Sequence, residues 1–227
     1  MTFQEFSSNC NSPVQIELTN SQKDLILDTT NELRSKIANG EQPGFPKAIR
    51  MAKAVWNDQL ESFAKLNTKK CSNSHDCHNT LEFEFSGQNL GIMSTTANYT
   101  TEQVIKERIN AWYNENIYAA ESDIDKFTRL TGSSGKKIGH FTSLVCERQT
   151  QIGCAISTYK SSINNREFNN YLMTCNYAST NMQTYPTYRS GTETGSACKE
   201  GTDSEFPGLC KITEPIDPNH FDYYPEH

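Results

Sequence analysis

Cys71, His75, Asp76, Cys77 and His78 fall within one short stretch, and all are residue types that bind metals or form disulfides. Neutral imidazole nitrogens and thiolates are the ligands zinc prefers, so His75-Asp76-Cys77-His78 beside Cys71 can imitate half of a zinc knuckle. A structural zinc site needs a second ligand pair at similar spacing, and the sequence supplies none. In an oxidising compartment the cysteines read better as disulfide partners, with His78 an exposed or hydrogen-bonding bystander. Further along, Ser143 follows His140 by three residues. A Ser–His pair suggests nucleophilic catalysis, but that spacing does not set the Oγ–Nε2 geometry and no GxSxG elbow is present. Ser143 reads as an ordinary helix serine.

The chain has 8 cysteines, at 10, 71, 77, 146, 154, 175, 198 and 210. An even number without a CxxC pair points to a disulfide framework and an oxidising compartment. The start, Met1-Thr2-Phe3-Gln4-Glu5-Phe6, lacks the basic residue and apolar centre of a leader. The expectation is an extracellular, secreted chain whose signal peptide is removed or missing. Asn98-Tyr99-Thr100 is an N-glycosylation sequon in a polar stretch, making Asn98 a candidate glycan site. A net charge of -6 excludes the basic face that nucleic-acid binding requires. No apolar run approaches the ~20 residues of a membrane span.

Length and periodicity give the elements that must position these residues. At 227 residues the chain has room for a sizeable core, so disulfides reinforce the fold rather than replace the core. Residues 1–20 read as an extended segment tied by Cys10. A helix begins at Ser21, as N-cap with Asp24 three residues on, and turns Leu25, Ile26, Thr29, Leu33 and Ile37 inward until Gly40. A second helix follows Asn57 and buries Leu60, Phe63, Ala64 and Leu66. A short strand is expected over 83–92. A third helix starts near Thr100 with Val104, Ile105, Arg108, Ile109, Trp112 and Glu115 as its stripe. Residues 123–137 read as a loop. Strands over 152–159 and 169–177 flank a polar turn at 161–166, which predicts a hairpin. Residues 181–227 hold Pro, Gly and two cysteines with little periodicity, and read as a small disulfide-tied tail. Helices ahead of antiparallel strands predict an α+β fold.

Two segments go further. Gly139-His140-Phe141-Thr142-Ser143-Leu144-Val145-Cys146 is followed by Tyr171-Leu172-Met173-Thr174-Cys175-Asn176-Tyr177. Together they resemble the signatures of the CAP superfamily: cysteine-rich secretory proteins, insect antigen 5 and plant pathogenesis-related proteins. Residues 71–80, Ser86-Gly87-Gln88-Asn89-Leu90 and the ending Asp217-Pro218-Asn219-His220-Phe221-Asp222-Tyr223 resemble the insect, fly-type antigen 5 branch of venom allergens and salivary proteins. The resemblance implies a three-layer α-β-α sandwich with an antiparallel central sheet over residues 21–180.

It also implies a cavity lined by two histidines and two acids. His75 and His140 match the histidines, Glu115 matches one acid, and Gln88 stands where the other is usually glutamate. Two imidazoles and one carboxylate offer zinc or copper a weak site, without the third strong ligand of a catalytic zinc centre. An amide at 88 cannot be a general base, and on charge alone Gln88→Glu is expected to tighten metal binding. The alternative is a buried polar network that only supports the fold. The resemblance pairs Cys10 with Cys71 and Cys154 with Cys175. Cys198–Cys210 would staple the tail. Cys77 and Cys146 are left either paired together or with Cys77 free, and Cys146 replaces the usual tryptophan. Some relatives bind sterols or other lipids, and Phe127, Ile138, Phe141, Tyr185, Tyr188 and Tyr223 are candidates to line such a groove. The resulting reading is a secreted, non-enzymatic protein that requires no cofactor. It would act by binding a lipid or sterol, a metal ion, or a host or self extracellular protein in a salivary, venom, haemolymph or reproductive setting. The alternative class is a metal-dependent hydrolase or copper redox centre on His75 and His140.

Overall fold

The computed structural model of the chain describes residues 5–221. Its centre is a sheet of β1 (Asn11–Ile16), β5 (Gly87–Thr95), β6 (Gln151–Ile163) and β7 (Arg166–Tyr177), ordered β1-β6-β7-β5 and antiparallel throughout, with the short β4 (Val55–Trp56) joining β6 in parallel. Two bridges, β2 (Lys47–Ala48) with β8 (Ser190–Gly191) and β3 (Met51–Ala52) with β9 (Leu209–Cys210), attach the C-terminal segment to the stretch after the first helix.

The period of two along β6 and β7 divides the molecule into layers. Ile152, Cys154, Ile156, Met173, Cys175 and Tyr177 share one large core with Ile26 and Ile37 of α1 (Asn20–Ala38) and Val104, Ile105, Ile109 and Trp112 of α3 (Thr101–Tyr113). The intervening residues, apart from the buried Leu172, are small or polar and face α2 (Asp58–Thr68): Ser157 Oγ donates to Thr68 Oγ1 at 2.9 Å, Thr174 Oγ1 to Asn67 Oδ1 at 2.8 Å, and Asn176 Nδ2 to the Leu60 carbonyl at 3.1 Å. A Cβ on Gly153 would lie 2.1 Å from the Glu61 nitrogen, so this strand position must be glycine for α2 to lie so close. The outcome is a three-layer α-β-α sandwich with one oily interface and one hydrogen-bonded interface. The Leu90 and Ile92 carbonyls of β5 accept from Trp112 Nε1 and Arg108 Nη1. These contacts from α3 shield that edge from another strand.

Several elements differ from their sequence reading. The N-cap of α1 is Thr19, not Ser21: Thr19 Oγ1 accepts from the Gln22 amide while Gln22 Oε1 accepts from the Thr19 amide. That reciprocal box satisfies two otherwise orphaned donors and contributes about 1 kcal/mol. The inward face of α1 is also offset. Ile26, Thr30, Asn31, Arg34, Ser35, Ile37 and Ala38 are buried, whereas Leu25 and Leu33 only pack against the core margin. Arg34 is fully buried and donates to the carbonyls of Leu144, Cys146 and Ala52 at 2.8, 2.9 and 2.6 Å. Burial pulls its pKa down to about 10, so it stays charged near neutrality.

Glu115 is not on α3 but on the 3₁₀ turn Asn114–Tyr118 that follows it. The expected strand at 83–92 begins only at Gly87, and Phe83 is instead buried in the preceding loop. Residues 121–125 of the next connection form a short α4 (Glu121–Asp125). β6 and β7 extend to Ile163 and Arg166, leaving only Asn164 and Asn165 at the turn, both with positive φ (51° and 59°). Asparagine tolerates that left-handed geometry, which a tight hairpin requires.

Cys10 is paired with Cys71, Cys154 with Cys175, and Cys198 with Cys210. Cys77 and Cys146 are free thiols, the first exposed and the second buried. No helix among the described residues is long and apolar enough to cross a membrane.

Candidate functional site

The two histidines reach one cavity from different elements. His140 is the second residue of α5 (Gly139–Leu144), a six-residue helix packed against α3 and β5. His75 lies in the irregular segment between α2 and β5. Both line a hollow of about 510 Å³, together with His78, Gln88, Asn89, Ser143 and Asn181 among others.

Glu115 fixes His140. Its Oε1 lies 2.7 Å from His140 Nδ1, and its Oε2 accepts from the backbone amides of His140 at 2.9 Å and Phe141 at 3.3 Å. One carboxylate therefore satisfies the first amides of α5 and the imidazole together. A carboxylate accepts hydrogen bonds only, so Nδ1 carries a hydrogen, and in the neutral ring the lone pair is on Nε2. Trp112 stacks on the ring with centroids 6.2 Å apart and an interplanar angle of 29°. Asn89 Nδ2 donates to the His140 carbonyl at 3.0 Å and to Tyr177 Oη at 3.1 Å, so β5 also holds this residue.

Gln88 fixes His75. Gln88 Oε1 lies 3.0 Å from His75 Nδ1, while its Nε2 donates to Asp76 Oδ1 at 2.9 Å and to Asn176 Oδ1 at 3.0 Å. The amide orientation is settled by those two acceptors, so His75 likewise carries its hydrogen on Nδ1 and leaves Nε2 bare. Gln88 and Asn176 are direct cross-strand partners in the β5–β7 ladder, which is why the contact forms. Asp76 is further paired with Lys70 at 2.6 Å. Burial opposes its ionisation, but the bonds from Lys70, Gln88 and Asn67 hold its pKa below the usual carboxylate value. Burial lowers the pKa of His75, and the neighbouring His140 and His78 lower it further against the opposing Gln88 bond and Asp76. The ring is therefore neutral to lower pH than an ordinary histidine.

His78 is held rather than idle. Its Nδ1 lies 2.6 Å from the Asp76 carbonyl and its Nε2 3.0 Å from the Ser86 carbonyl. Ser143 is buried on α5 and its Oγ has no hydrogen-bond partner. Asn98 is exposed between β5 and α3, with Oδ1 accepting from Asn169 Nδ2 at 2.9 Å. Cys146 is buried, its thiol pKa pushed up by burial against the nearby Arg148 and Arg34.

The four residues matched by motif thus form two pairs, His75–Gln88 and His140–Glu115, of which His75, Gln88 and His140 line one hollow. The sequence reading named Asp76 and Asn176 but not their shared contact with Gln88, which depends on strand register. Of the aromatic and apolar candidates for a lipid groove, Phe127, Ile138, Phe141 and Tyr188 are buried in the body of the protein, and none of these four lines the histidine cavity. Tyr185 packs on Phe221 instead, and Tyr223 lies outside the described residues. Among the described residues, no group of three or more His, Cys, Asp and Glu side chains is arranged to hold a metal ion.

Comparison with known proteins accounts for this arrangement. The model of the cysteine-rich secretory protein family, CAP, matches residues 27–177. The chain is 38% identical over 216 residues to Venom allergen-1 of Aedes albopictus, covering 94% of this chain and 82% of that protein. It is 42% identical over 142 residues to Antigen 5 like allergen Cul n 1 of Culicoides nubeculosus, covering 62% of this chain and 64% of that one. Among solved structures, that of NaASP2 with Zn2+ superposes with a TM-score of 0.69 at 22% identity, covering 91% of this chain and all of the other. With the family model matching residues 27–177, which hold β5, β6, β7, α2, α3, most of α1 and all of His75, Gln88, Glu115 and His140, the chain belongs to the CAP family, with insect venom allergen and antigen 5 proteins among its relatives.

Proposed function

We propose that this protein is a secreted, non-enzymatic binding protein of the antigen 5 type, and that the His75–His140 cavity holds an exchangeable divalent cation, zinc or copper. One observation carries the metal reading. Both histidines have Nδ1 engaged by an oxygen, from Gln88 and from Glu115, so each neutral ring holds its lone pair on Nε2, and both residues line the same hollow. A neutral imidazole whose other nitrogen donates to an oxygen is the usual form of a histidine ligand.

The donor set fits a weak site. Two imidazoles would bind directly, Glu115 and Gln88 would orient them from behind, and solvent would complete the coordination. The cation would supply positive charge able to attract an anionic or oxygen-rich ligand. Non-enzymatic action is supported by the commitment of Glu115: its oxygens serve His140 and two backbone amides. Gln88 offers no base in its place. The three disulfides support secretion.

Calorimetric titration of metal-stripped protein with zinc and with copper(II) tests the reading. Binding is expected in the parent, reduced at least tenfold by His75→Ala and by His140→Ala. No detectable heat with either metal in the folded parent would remove the metal reading and leave the histidines as a structural network.

A further inference from the structure

We propose that the histidine cavity binds a small oxyanion, a carboxylate or phosphate group, with Lys137 and Ser143 as its recognition residues. The inference rests on the cavity being a ligand site but not on a metal occupying it. In a chain of net charge -6, the lining of this hollow includes His75, His78, His140 and Lys137 and not one Asp or Glu. The two neighbouring carboxylates are both occupied elsewhere. Glu115 is bound to His140 and the start of α5, and Asp76 to Lys70 and Gln88. The hollow is therefore a carboxylate-free pocket on an otherwise acidic protein.

Two buried polar atoms of the lining also lack partners. Ser143 is 3% exposed, yet its Oγ makes no hydrogen bond. Asn181 donates through Nδ2 to the Gly139 carbonyl at 3.0 Å, but its buried Oδ1 accepts nothing. An unmatched buried polar atom is costly, and such atoms at a cavity wall mark positions where a ligand can complete the bonding. Ser143 Oγ can donate to an oxyanion and Asn181 Oδ1 can accept from a hydroxyl on it, as monohydrogen phosphate or a hydroxy acid carries. Lys137 is exposed, lines the hollow and makes no ion pair among the described residues, so its ammonium can supply positive charge there. A Cβ on Gly87 would lie 2.5 Å from the Ser179 carbonyl and 3.2 Å from Ser143 Oγ, so the backbone beside Ser143 requires glycine there. The site differs from a metal site in needing donors, which the two Nε2 atoms are not while neutral.

The test is titration with sodium phosphate, sodium acetate and sodium glycolate at constant ionic strength, followed by histidine ring NMR signals and Trp112 fluorescence. Each titration is run once with chelator and once with zinc. Saturable binding of at least one anion is expected. Ser143→Ala and Lys137→Gln should each weaken it about five- to tenfold without lowering the melting temperature by more than a few degrees. Phosphate or glycolate binding above acetate assigns the hydroxyl to Asn181, and Asn181→Ala then removes that preference. Anion binding seen only with zinc, and indifferent to both variants, would overturn the proposal while supporting the metal reading. No saturation with any anion in either condition overturns it as well. Anion binding with chelator in a protein that fails to bind zinc would sustain it while removing the metal reading.

Discussion

The Glu115 carboxylate meets His140 twice: Oε1 sits 2.7 Å from the ring Nδ1 and Oε2 accepts from the backbone amide at 2.9 Å. One side chain thereby fixes the ring, its tautomer and the start of its helix. Glu115→Gln keeps the size but loses the charge and one acceptor. It should lower zinc affinity about 10- to 100-fold and destabilise the fold by roughly 1–3 kcal/mol. Zinc calorimetry and urea unfolding check the two effects separately. An unchanged affinity beside a lower stability would assign Glu115 to the fold alone.

Gln88→Glu tests the amide that departs from the family pattern. In the metal-free protein the introduced carboxyl faces Asp76 Oδ1 and Asn176 Oδ1, where Gln88 Nε2 donates at 2.9 and 3.0 Å. The variant should be less stable by about 1–3 kcal/mol at pH 7. Its folded carboxyl resists ionisation, so the deficit is small below the unfolded glutamate pKa of about 4.3 and grows as pH rises. Zinc, by offsetting the added charge, should raise the melting temperature of the variant more than that of the parent. Thermal melts across pH 4–7.5, with and without zinc, decide this, and a variant as stable as the parent at pH 7 would show that the amide network is dispensable.

His75 gives a pH signature of the opposite sense. Its folded pKa is below the ordinary value, chiefly through burial. The unfolded chain then takes up the proton first as pH falls, so its contribution to stability is present above about pH 6.5 and is lost below it. The parent should therefore lose more unfolding free energy between pH 7.5 and 5.5 than His75→Gln does. Equal losses would mean the ring is as easily charged folded as unfolded.

Arg34 is a fully buried charge whose guanidinium holds three backbone carbonyls. Arg34→Leu leaves those carbonyls unmatched and should cost at least about 3 kcal/mol. Because Leu144 and Cys146 bracket the end of α5, the same change should loosen His140. Urea unfolding measures the first effect, and hydrogen exchange at the α5 amides the second.

The free thiols should react in two stages. Cys77 is exposed and Cys146 is buried, with burial raising its pKa. A chromogenic thiol reagent should find one group in the native protein and two in denaturant. Four or more in denaturant would contradict the three pairs.

The sequence carries the layers well because β6 and β7 alternate clearly, and the GHFT and Cys-Asn-Tyr segments mark both sides of the His140 wall. It carries α1 less well, because the buried stripe includes Thr30, Asn31 and Arg34 and so looks solvent-facing to any reading based on hydrophobicity. The hairpin tip was hidden for a related reason: its strand ends, Ser161 to Ile163 and Arg166 to Phe168, are largely polar and exposed. At the site, His75 and His140 could be assigned to the cavity from motifs, whereas the part that Asp76 and Asn176 play in it could not. Their contact with Gln88 depends on β5 pairing with β7 in one register, a long-range fact with no local signature.

The Cys154–Cys175 bridge joins residues directly opposite each other on β6 and β7, one position before Asn176. A slip of one residue between those strands would take Asn176, which donates to the Leu60 carbonyl and accepts from Gln88, out of line with Gly153, the position against which α2 lies. The bridge therefore acts as an index pin for the hairpin, isolating the cavity from whatever happens at its far end. The exposed tip at Asn164-Asn165 lies ten residues away along each strand. A fluorophore, epitope or immobilisation handle inserted there would ride on the protein without changing the alignment of the cavity wall.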